Sequence, residues 1–222
     1  SLNQALTSAG YKNLSEYRQK MIKQIQYANF LLDYIDDHFD DVFNDYYQQC
    51  APKYVSLIKI SVSDTSSPTD DETSKLNEVK ELISNTDKSF GDIAQDYSND
   101  STSSKKGSLG IVDSKDTSGI ANSYGKDVFN AIEALSEGQV SDVITGDNGY
   151  YFVKVTSTDK KTLKKELKKT DIDSPLLAYD DYLQYVVYNS YKINYKDKDI
   201  KKIVQEVVNK ALEERKTERG EA

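Results

Sequence analysis

The chain of 222 residues has almost none of the side chains from which cysteine- and histidine-based sites are built. Its one cysteine, Cys50, excludes an intramolecular disulfide and a cysteine-rich metal site. Its one histidine, His38, excludes a histidine pair and the usual zinc sites. We expect Cys50 to be a small buried apolar residue. We expect His38, which follows Asp36 and Asp37, to lie at the surface or to cap a helix.

Long apolar runs and an excess of positive charge are missing as well. No segment approaches the ~20 apolar residues that a bilayer-spanning helix needs. The net charge of −8 argues against a nucleic-acid partner, because phosphate binding requires clustered lysine and arginine. Hydrophobic residues make up 37% and charged residues 30%, which is typical of a rather polar soluble protein. The length allows one or two domains with a buried core.

The N-terminal part of the chain has a helical pattern over residues 2–50. Asn13 and Glu16 have the spacing of a helix capping box. An acidic run at 36–41 predicts a break before a short helix at 42–49. Amphipathic helices gain most of their stability from packing, so we expect this arm to pack against the C-terminal part of the chain.

The helical spacing of apolar residues ends at Pro52. Residues 54–62 are rich in β-branched side chains and predict a strand. Helices are predicted over 72–85 and from Phe90 onward, where apolar residues recur at helical spacing. The polar run 99–108 predicts a flexible loop.

The second half of this central region predicts a short strand at 109–112 and a helix at 127–135. Two further strands, at 140–144 and 150–155, flank the turn 146–149. The Asn-Gly pair in that turn is a strong signal for a β-hairpin. The central region therefore alternates between strands and helices.

The C-terminal part begins with a lysine-rich run at 160–169. A solvated helix face or linker is favoured over a membrane-facing basic patch, because most charge runs are solvated. Ser174 and Pro175 predict a helix start, whose apolar side runs from Leu176 to Val187. A last helix is predicted at 197–214, followed by a polar, frayed end.

Two stretches of the central region carry a resemblance to a known family. The first is FGDIAQDYS at 90–98 with KGSLG at 106–110, and the second is ALSEGQVSDVI at 134–144 with GYYFVKV at 149–155. In order and spacing they resemble the parvulin family of peptidyl-prolyl isomerases. With helical segments on both sides, the chain resembles the PrsA foldases of Gram-positive bacteria.

This resemblance implies an α+β fold in which a parvulin-like antiparallel sheet is surrounded by helices. The sheet is inserted between N- and C-terminal helical segments that form a second, all-α domain. We place the N-terminal arm at 1–52, the parvulin-like domain at 53–157 and the C-terminal arm at 158–222.

The resemblance also implies where the site residues lie. Active parvulins place two histidines and an aspartate or cysteine under an apolar cleft that takes the proline ring. Here Lys59, in KISV, and Tyr151, in GYYF, stand at the histidine positions, and Ser108, in GSLG, stands at the third. The candidate residues that bind substrate are Tyr124, Val128, Ile111 and Tyr151. No cofactor and no metal is expected.

These substitutions put the family's catalysis in question. Lys59 would act as a base only if it were desolvated, and a surface charge or ion-pair partner is the alternative. Tyr151 has the volume to fill the place of an imidazole and a hydroxyl for hydrogen bonding.

Two functions of different classes follow. The first is an extracytoplasmic foldase or chaperone whose helical arms hold unfolded or partly folded exported polypeptides, with a parvulin-like domain that is poor or inactive in isomerisation. The seventeen tyrosines offer amphipathic contact area for such binding. The alternative is an active parvulin-type isomerase with a non-standard site. A scaffold that binds no client is a third, weaker hypothesis.

The expected location is the outer face of the cell membrane of a Gram-positive bacterium. The sequence begins at Ser1 without a signal peptide or lipobox cysteine, which is compatible with a lipoprotein whose targeting segment is not included. We expect membrane contact only through such a lipid anchor, no nucleic-acid partner, and a homodimer as an open alternative.

Overall fold

The computed structural model describes residues 2–167 and 173–221. Its α-helices are α1 (Leu2–Ser8), α2 (Leu14–Asp37), α3 (Phe39–Cys50), α4 (Asp70–Asn85), α5 (Phe90–Tyr97), α6 (Ile120–Tyr124), α7 (Lys126–Ala134), α8 (Lys160–Leu167), α9 (Leu183–Ser190) and α10 (Lys198–Glu218). Its strands are β1 (Lys53–Ser61), β2 (Ser108–Val112), β3 (Ile144–Gly146) and β4 (Gly149–Ser157). Short 3-10 helices lie at Ser101–Lys105 and Pro175–Leu177.

The chain divides into two compact units. One, here called the helical unit, contains residues 2–43 and 173–221, and the other, the sheet unit, contains residues 44–167. Among the described residues, no helix combines the length and the apolar character that crossing a membrane requires. The mixed helix-and-sheet class predicted from the sequence is confirmed.

The four strands form one antiparallel sheet in the order β2-β1-β4-β3. The central strand β1 is buried on both faces, because its alternating side chains enter two different cores. One core contains Val55, Leu57, Val112, Ile120, Val128, Ile132, Tyr151 and Val153. The other contains Ile58, Ile60, Leu76, Val79, Phe90, Ile93, Ala94 and Phe152. Helices α6 and α7 therefore cover one face of the sheet, and α4 and α5 cover the other.

The helix starts follow the local sequence. The Asn13 side chain accepts a hydrogen bond from the backbone N–H of Glu16 at 2.9 Å, so the predicted N-cap of α2 is confirmed. The reciprocal half of the predicted capping box is wrong, because the Glu16 carboxylate accepts instead from the backbone N–H of Lys12 at 2.7 Å. Thr69 and Glu72 form a complete capping box at the start of α4. Lys53 donates to three backbone carbonyls at the end of α7, which satisfies carbonyls that lack helical partners.

Helices from both ends of the chain make up the helical unit. Helix α2 contacts α9, and α9 contacts α10. Asp180, just before α9, is 6% exposed and binds Arg215 of α10 and Arg219, the C-cap residue of α10. Its Oδ2 accepts from Arg215 Nε at 2.8 Å and from Arg219 Nη2 at 2.9 Å. This cluster fixes the last turn of α10, so the prediction of a frayed end from residue 215 is wrong.

Three other predictions also need correction. The strand predicted at 140–144 is wrong, because only Val140 forms an isolated bridge, to Lys154, before β3 starts at Ile144. The Ser141 hydroxyl accepts from the N–H of Val153 at 3.0 Å, in place of a ladder carbonyl.

The single helix predicted after Ser174 is instead a 3-10 turn at Pro175–Leu177 followed by α9. The loop predicted at 99–108 contains the 3-10 helix Ser101–Lys105, which Asp100 caps.

The predictions for Cys50, His38 and the lysine-rich run are confirmed within the described residues. Cys50 is fully buried, and His38 is the exposed C-cap residue of α2. The lysine-rich run forms α8, which buries Leu163 and Leu167 and exposes Lys160, Lys161 and Lys165 to solvent. Lys168 and Lys169 lie outside the described residues.

The sheet unit reaches beyond the predicted limits of 53 and 157 at both ends. On the N-terminal side, the Tyr46 hydroxyl donates to buried Asp113 at 2.8 Å. The domain boundaries derived from the sequence stay a prediction.

Candidate functional site

A cavity of about 440 Å³ opens between the α6–α7 turn and the β3–β4 hairpin of the sheet unit. Its apolar lining includes Tyr124, Val128, Ile144 and Tyr151. The polar rim includes Lys126, Asp127, Asp147 and Asn148. The structure thus brings three of the four predicted substrate-binding residues, Tyr124, Val128 and Tyr151, to one concave surface.

Tyr151 forms the floor of this cavity. It lies on β4 directly opposite Lys59 of β1 and is 4% exposed. Its hydroxyl donates to Asn148 Oδ1 at 2.8 Å. Burial raises the pKa of Tyr151, and the carboxylates of Asp100 and Asp147 raise it further. At neutral pH the side chain is therefore a neutral phenol whose proton is engaged.

The Tyr151 ring lies against the backbone of the β3–β4 hairpin. Gly146 and Gly149 face each other across the two-residue turn at 147–148. A Cβ atom on Gly146 would lie 2.6 Å from Tyr151 Cε2, well inside van der Waals contact. The Tyr151 ring can therefore keep its position in the cavity only with a glycine at position 146.

Tyr124, at the end of α6, packs on Tyr151 edge to face. The ring centroids are 6.2 Å apart and the planes are 81° apart, an arrangement that favours aromatic pairs. The Tyr124 hydroxyl makes a long hydrogen bond of 3.4 Å to Asp100 Oδ1. Burial, and next the charge of Asp100, raise the pKa of Tyr124 to about 12. Asp100 is held in place by the N–H and hydroxyl of Thr102, at 2.9 and 2.7 Å.

Lys59 contacts the same ring. Its ammonium lies 5.7 Å from the centroid of Tyr151, within the range of a cation–π interaction. The backbone N–H of Lys59 donates to Ser98 Oγ at 3.0 Å, and its carbonyl accepts from the N–H of Asn99 at 2.8 Å. The strand and the segment after α5 therefore fix the position of this lysine.

Ser108 and Ile111 lie outside the lining of the cavity. The Ser108 hydroxyl donates to the hydroxyl of Tyr54 at 2.9 Å and accepts from the N–H of Gly110 at 3.2 Å. Ile111 pairs with Tyr54 across the β1–β2 ladder, whereas its neighbour Val112 enters the core beneath the cavity. The structure therefore separates these two candidates from Tyr124, Val128 and Tyr151.

The chemistry available at the cavity is limited. A lysine ammonium offers donors only, and both tyrosine hydroxyls already donate to oxygen acceptors. The apolar lining of Val128, Ile144 and the two rings can accept a small apolar ring or side chain. This arrangement suits binding by shape better than acid–base work.

Three contributors to the site were missed in the sequence. Asn148 was identified only as a turn residue, and Gly146 only as part of the same hairpin. The sequence predicts a loop around Asp100, although an aspartate followed by Ser101 and Thr102 is a usual local cap. That capping pattern was the one signal from which its fixed position was predictable.

No group of three or more histidine, cysteine, aspartate or glutamate side chains capable of holding a metal ion occurs in the part of the chain that the structure describes.

Known proteins share sequence similarity with the chain, including the region that contains the cavity. The family model of the rotamase, or PPIC-type PPIase, domain matches residues 57–157. The foldase protein PrsA of Staphylococcus epidermidis is 32% identical over 141 residues, which are 60% of this chain and 41% of that protein. The PrsA protein of Staphylococcus aureus matches with the same figures. This chain thus spans about two fifths of the length of these curated relatives.

Among solved structures, PrsA proteins are also similar to this chain. The crystal structure of PrsA from Bacillus subtilis is 21% identical, covers 89% of this chain and 72% of that chain, and has a TM-score of 0.45. The foldase protein PrsA from Streptococcus pneumoniae is 19% identical, covers 92% and 74%, and has a TM-score of 0.41.

The resemblance predicted from the two sequence stretches is confirmed. Residues 57–157 match the model of the PPIC-type PPIase domain, and the chain is similar over three fifths of its length to the PrsA foldases.

Proposed function

We propose that this protein is an extracytoplasmic foldase that binds unfolded or partly folded exported polypeptides, and that its parvulin domain contributes little isomerisation. The observation that carries the proposal is the occupation of the cavity floor by Tyr151. The Tyr151 hydroxyl donates a hydrogen bond to Asn148 Oδ1 at 2.8 Å, and the Lys59 ammonium lies over the Tyr151 ring.

The site has no side chain that replaces a neutral imidazole. An imidazole both donates and accepts a hydrogen bond, whereas the ammonium of Lys59 only donates. The loss of one preorganised polar contact typically costs ~2.7–4 kcal/mol of barrier lowering. Because the family's three positions hold Lys59, Ser108 and Tyr151, most of a modest rate enhancement is lost.

Peptide binding does not depend on those lost groups. The cavity keeps an apolar lining of Tyr124, Val128 and Ile144, with an open polar rim. The helical unit adds exposed aliphatic and tyrosine side chains, among them Ile203 at 56% and Tyr191 at 42% exposure. Such surface suits loose contact with unfolded chains.

The same similarity supports a proposed location. The PrsA proteins that this chain resembles carry the name foldase, and a role outside the cytoplasm fits clients that are being exported. We place the protein at the outer face of the cell membrane, with a lipid anchor that is not part of this sequence.

An active isomerase with a non-standard site is the second candidate. The raised pKa of Tyr151 keeps a neutral phenol at the cavity, and a phenol that left Asn148 would be free to donate to a peptide carbonyl. Rotation about a prolyl bond breaks no covalent bond, so one well-placed donor can act on it.

Two assays on the same preparation separate these candidates. We expect the chain to suppress aggregation of a chemically unfolded client and to leave the cis/trans rate of a proline tetrapeptide near its uncatalysed value. Turnover that the Tyr151→Phe variant loses would establish the isomerase instead. Absence of both activities would reject the foldase proposal.

A further inference from the structure

A groove of about 280 Å³ lies in the helical unit, where the end of α9 and the following loop meet α10. Three tyrosines line it, Tyr188, Tyr191 and Tyr195, together with Val204 and Val208 of α10. No residue of the parvulin domain takes part, so this surface is distinct from the cavity at Tyr151.

Two of the three tyrosines pack against α2. Phe30 of α2 packs against Tyr188, with ring centroids 6.1 Å apart, and against Tyr191, with centroids 5.3 Å apart. Both tyrosines nevertheless keep 42% of their surface exposed. They are therefore packed aromatic side chains that also face solvent, an arrangement that suits tyrosine in binding surfaces.

An apolar stripe runs along α10 beside the groove. Ile200, Ile203 and Val207 stand at positions i, i+3 and i+7 and are 52%, 56% and 51% exposed. Ile193, in the loop before α10, adds a fourth aliphatic side chain at 39% exposure. Single exposed aliphatics are ordinary, but an aligned stripe next to a groove marks an interaction surface.

The charge around this surface is opposite to that of the whole chain. Residues 192–202 contain five lysines and two aspartates, a net of +3, in a chain of net −8. Asp197 is committed to the cap of α10, where it accepts from two backbone N–H groups. Lys192 and Lys201 line the groove, and neither forms an ion pair with another described residue.

We propose that the groove and the stripe bind polypeptide segments in which apolar side chains alternate with acidic ones. The apolar side chains of such a segment cover Ile200, Ile203 and Val207, and its carboxylates face Lys192 and Lys201. Lysine-rich segments are rejected by like charge. The inference rests on the proposed binding of clients and names the class of segment that the helical unit selects.

Two other occupants share part of this chemistry. An anionic membrane surface also attracts lysines beside tyrosines and aliphatic side chains. A second copy of the chain offers the acidic run Asp36–Asp41. The concave, tyrosine-walled shape favours a single extended or helical segment over a flat bilayer, and the test includes both alternatives.

The probes are two labelled 16-residue peptides with identical apolar residues, one carrying glutamates and the other lysines at the remaining positions. Binding to the full chain is measured by fluorescence anisotropy at low and high salt. We expect the glutamate peptide to bind about tenfold more tightly, and the difference to shrink with salt.

Two double variants locate the binding. Lys192→Glu with Lys201→Glu is expected to abolish or reverse the preference between the peptides. Ile203→Ser with Val207→Ser is expected to weaken binding of the glutamate peptide about tenfold.

The matched controls lie on α2, far along the chain. Ile22→Ser removes an aliphatic side chain that is 54% exposed, and Lys23→Glu reverses an exposed lysine. Neither control is expected to change peptide binding by more than about twofold.

Several outcomes overturn the inference. Equal binding of the two peptides does so, as do groove variants that behave like the controls. Binding to phosphatidylglycerol vesicles without binding of the glutamate peptide would assign the surface to a membrane. A dimer that only the groove variants dissociate, again without peptide binding, would assign it to a second copy.

The proposed function is tested separately, by measuring suppression of client aggregation. If the groove variants still suppress aggregation of a mixed-sequence client and show no peptide preference, the inference fails and the foldase proposal stands. If the unaltered chain fails to suppress aggregation but prefers the glutamate peptide through the groove, the foldase proposal fails and the groove assignment stands.

Discussion

The sheet unit and the helical unit differ in where they place their aliphatic residues. In the sheet unit, Leu57, Ile58 and Ile60 of β1 are fully buried, and both faces of the sheet are covered by helices. In the helical unit, Ile22, Ile200 and Ile203 are each more than half exposed. The large hydrophobic side chains that are exposed to solvent in the described structure therefore belong to the helical unit.

The two units also differ in how they hold a buried carboxylate. Asp113 of the sheet unit accepts from neutral donors, namely two hydroxyls and two backbone N–H groups. Asp180 of the helical unit accepts from two guanidinium groups, those of Arg215 and Arg219. Polar hydrogen bonds fix a loop in the first case, and a charge cluster fixes a helix end in the second.

The largest expected effect comes from that charge cluster. Asp180→Asn keeps the shape of the side chain but removes the negative charge that faces two partly buried arginines. Removing one partner of a buried ion pair lowers the free energy of unfolding by ~3–5 kcal/mol. Native-state hydrogen exchange, read separately for the two units, is expected to show the loss in α9 and α10.

Asp113→Asn is the matched variant in the sheet unit. Its donors are neutral and an amide oxygen still accepts from some of them, so the expected loss is ~1–3 kcal/mol. A larger loss for Asp113→Asn than for Asp180→Asn would contradict this ranking of the two clusters.

A pair of isoleucines tests the difference in burial directly. Ile60→Ala removes a fully buried side chain from the sheet core and is expected to lower the free energy of unfolding by ~2–5 kcal/mol. Ile203→Ala removes a side chain that is 56% exposed and is expected to change stability by no more than ~0.5 kcal/mol. Urea unfolding of both variants checks the pair. A large loss for Ile203→Ala would mean that the stripe on α10 is covered in solution.

The sequence predicts elements with a strong local pattern better than features that depend on contacts between distant residues. The β-branched content of residues 54–62 and the helical spacing of apolar residues over 72–85 locate β1 and α4 to within two residues. The end of α10 depends on Asp180, 35 residues before Arg215, and no local pattern reports such a contact. Helix α6 was missed because its first N–H groups are bound by Asp116, within a loop-like run of polar residues.

The candidate site also depends on contacts that no local sequence pattern reports. Tyr124, Val128 and Tyr151 were predicted because they follow motifs along the chain. The contacts that decide what Tyr151 does come from Asn148, Gly146 and the ammonium of Lys59, which meet the ring only after the hairpin and the β1–β4 ladder have formed.

A smaller effect tests how Tyr151 fills the cavity. Gly146→Ala places a Cβ 2.6 Å from Tyr151 Cε2, so the ring has to move and the free energy of unfolding is expected to fall by ~1–3 kcal/mol. In a Tyr151→Ala background the same change is expected to have little effect. A double-mutant cycle measures this coupling. Equal losses in both backgrounds would show that the ring and the hairpin do not touch.

A further effect is a pH dependence at Tyr124. Its pKa is raised from 10.0 to about 12 in the folded protein, so the fold disfavours the charged form. The stability that this neutral phenol contributes is fully present below pH 10 and is lost as the pH rises toward about 12. Tyr124→Phe is therefore expected to lose stability less steeply over this range than the unaltered protein. A ¹³Cζ titration that places Tyr124 at its ordinary pKa would remove the basis of this prediction.

The central claim of the proposed function is that the sheet unit offers a cavity for binding but catalyses little isomerisation, and one measurement tests it most directly. The cis/trans exchange rate of a proline tetrapeptide is measured by NMR with the full chain and with its Tyr151→Phe variant. We predict exchange close to the uncatalysed rate in both samples, together with peptide shift changes that report binding. A strong acceleration by the full chain that disappears in Tyr151→Phe would contradict the claim and make Tyr151 a catalytic residue.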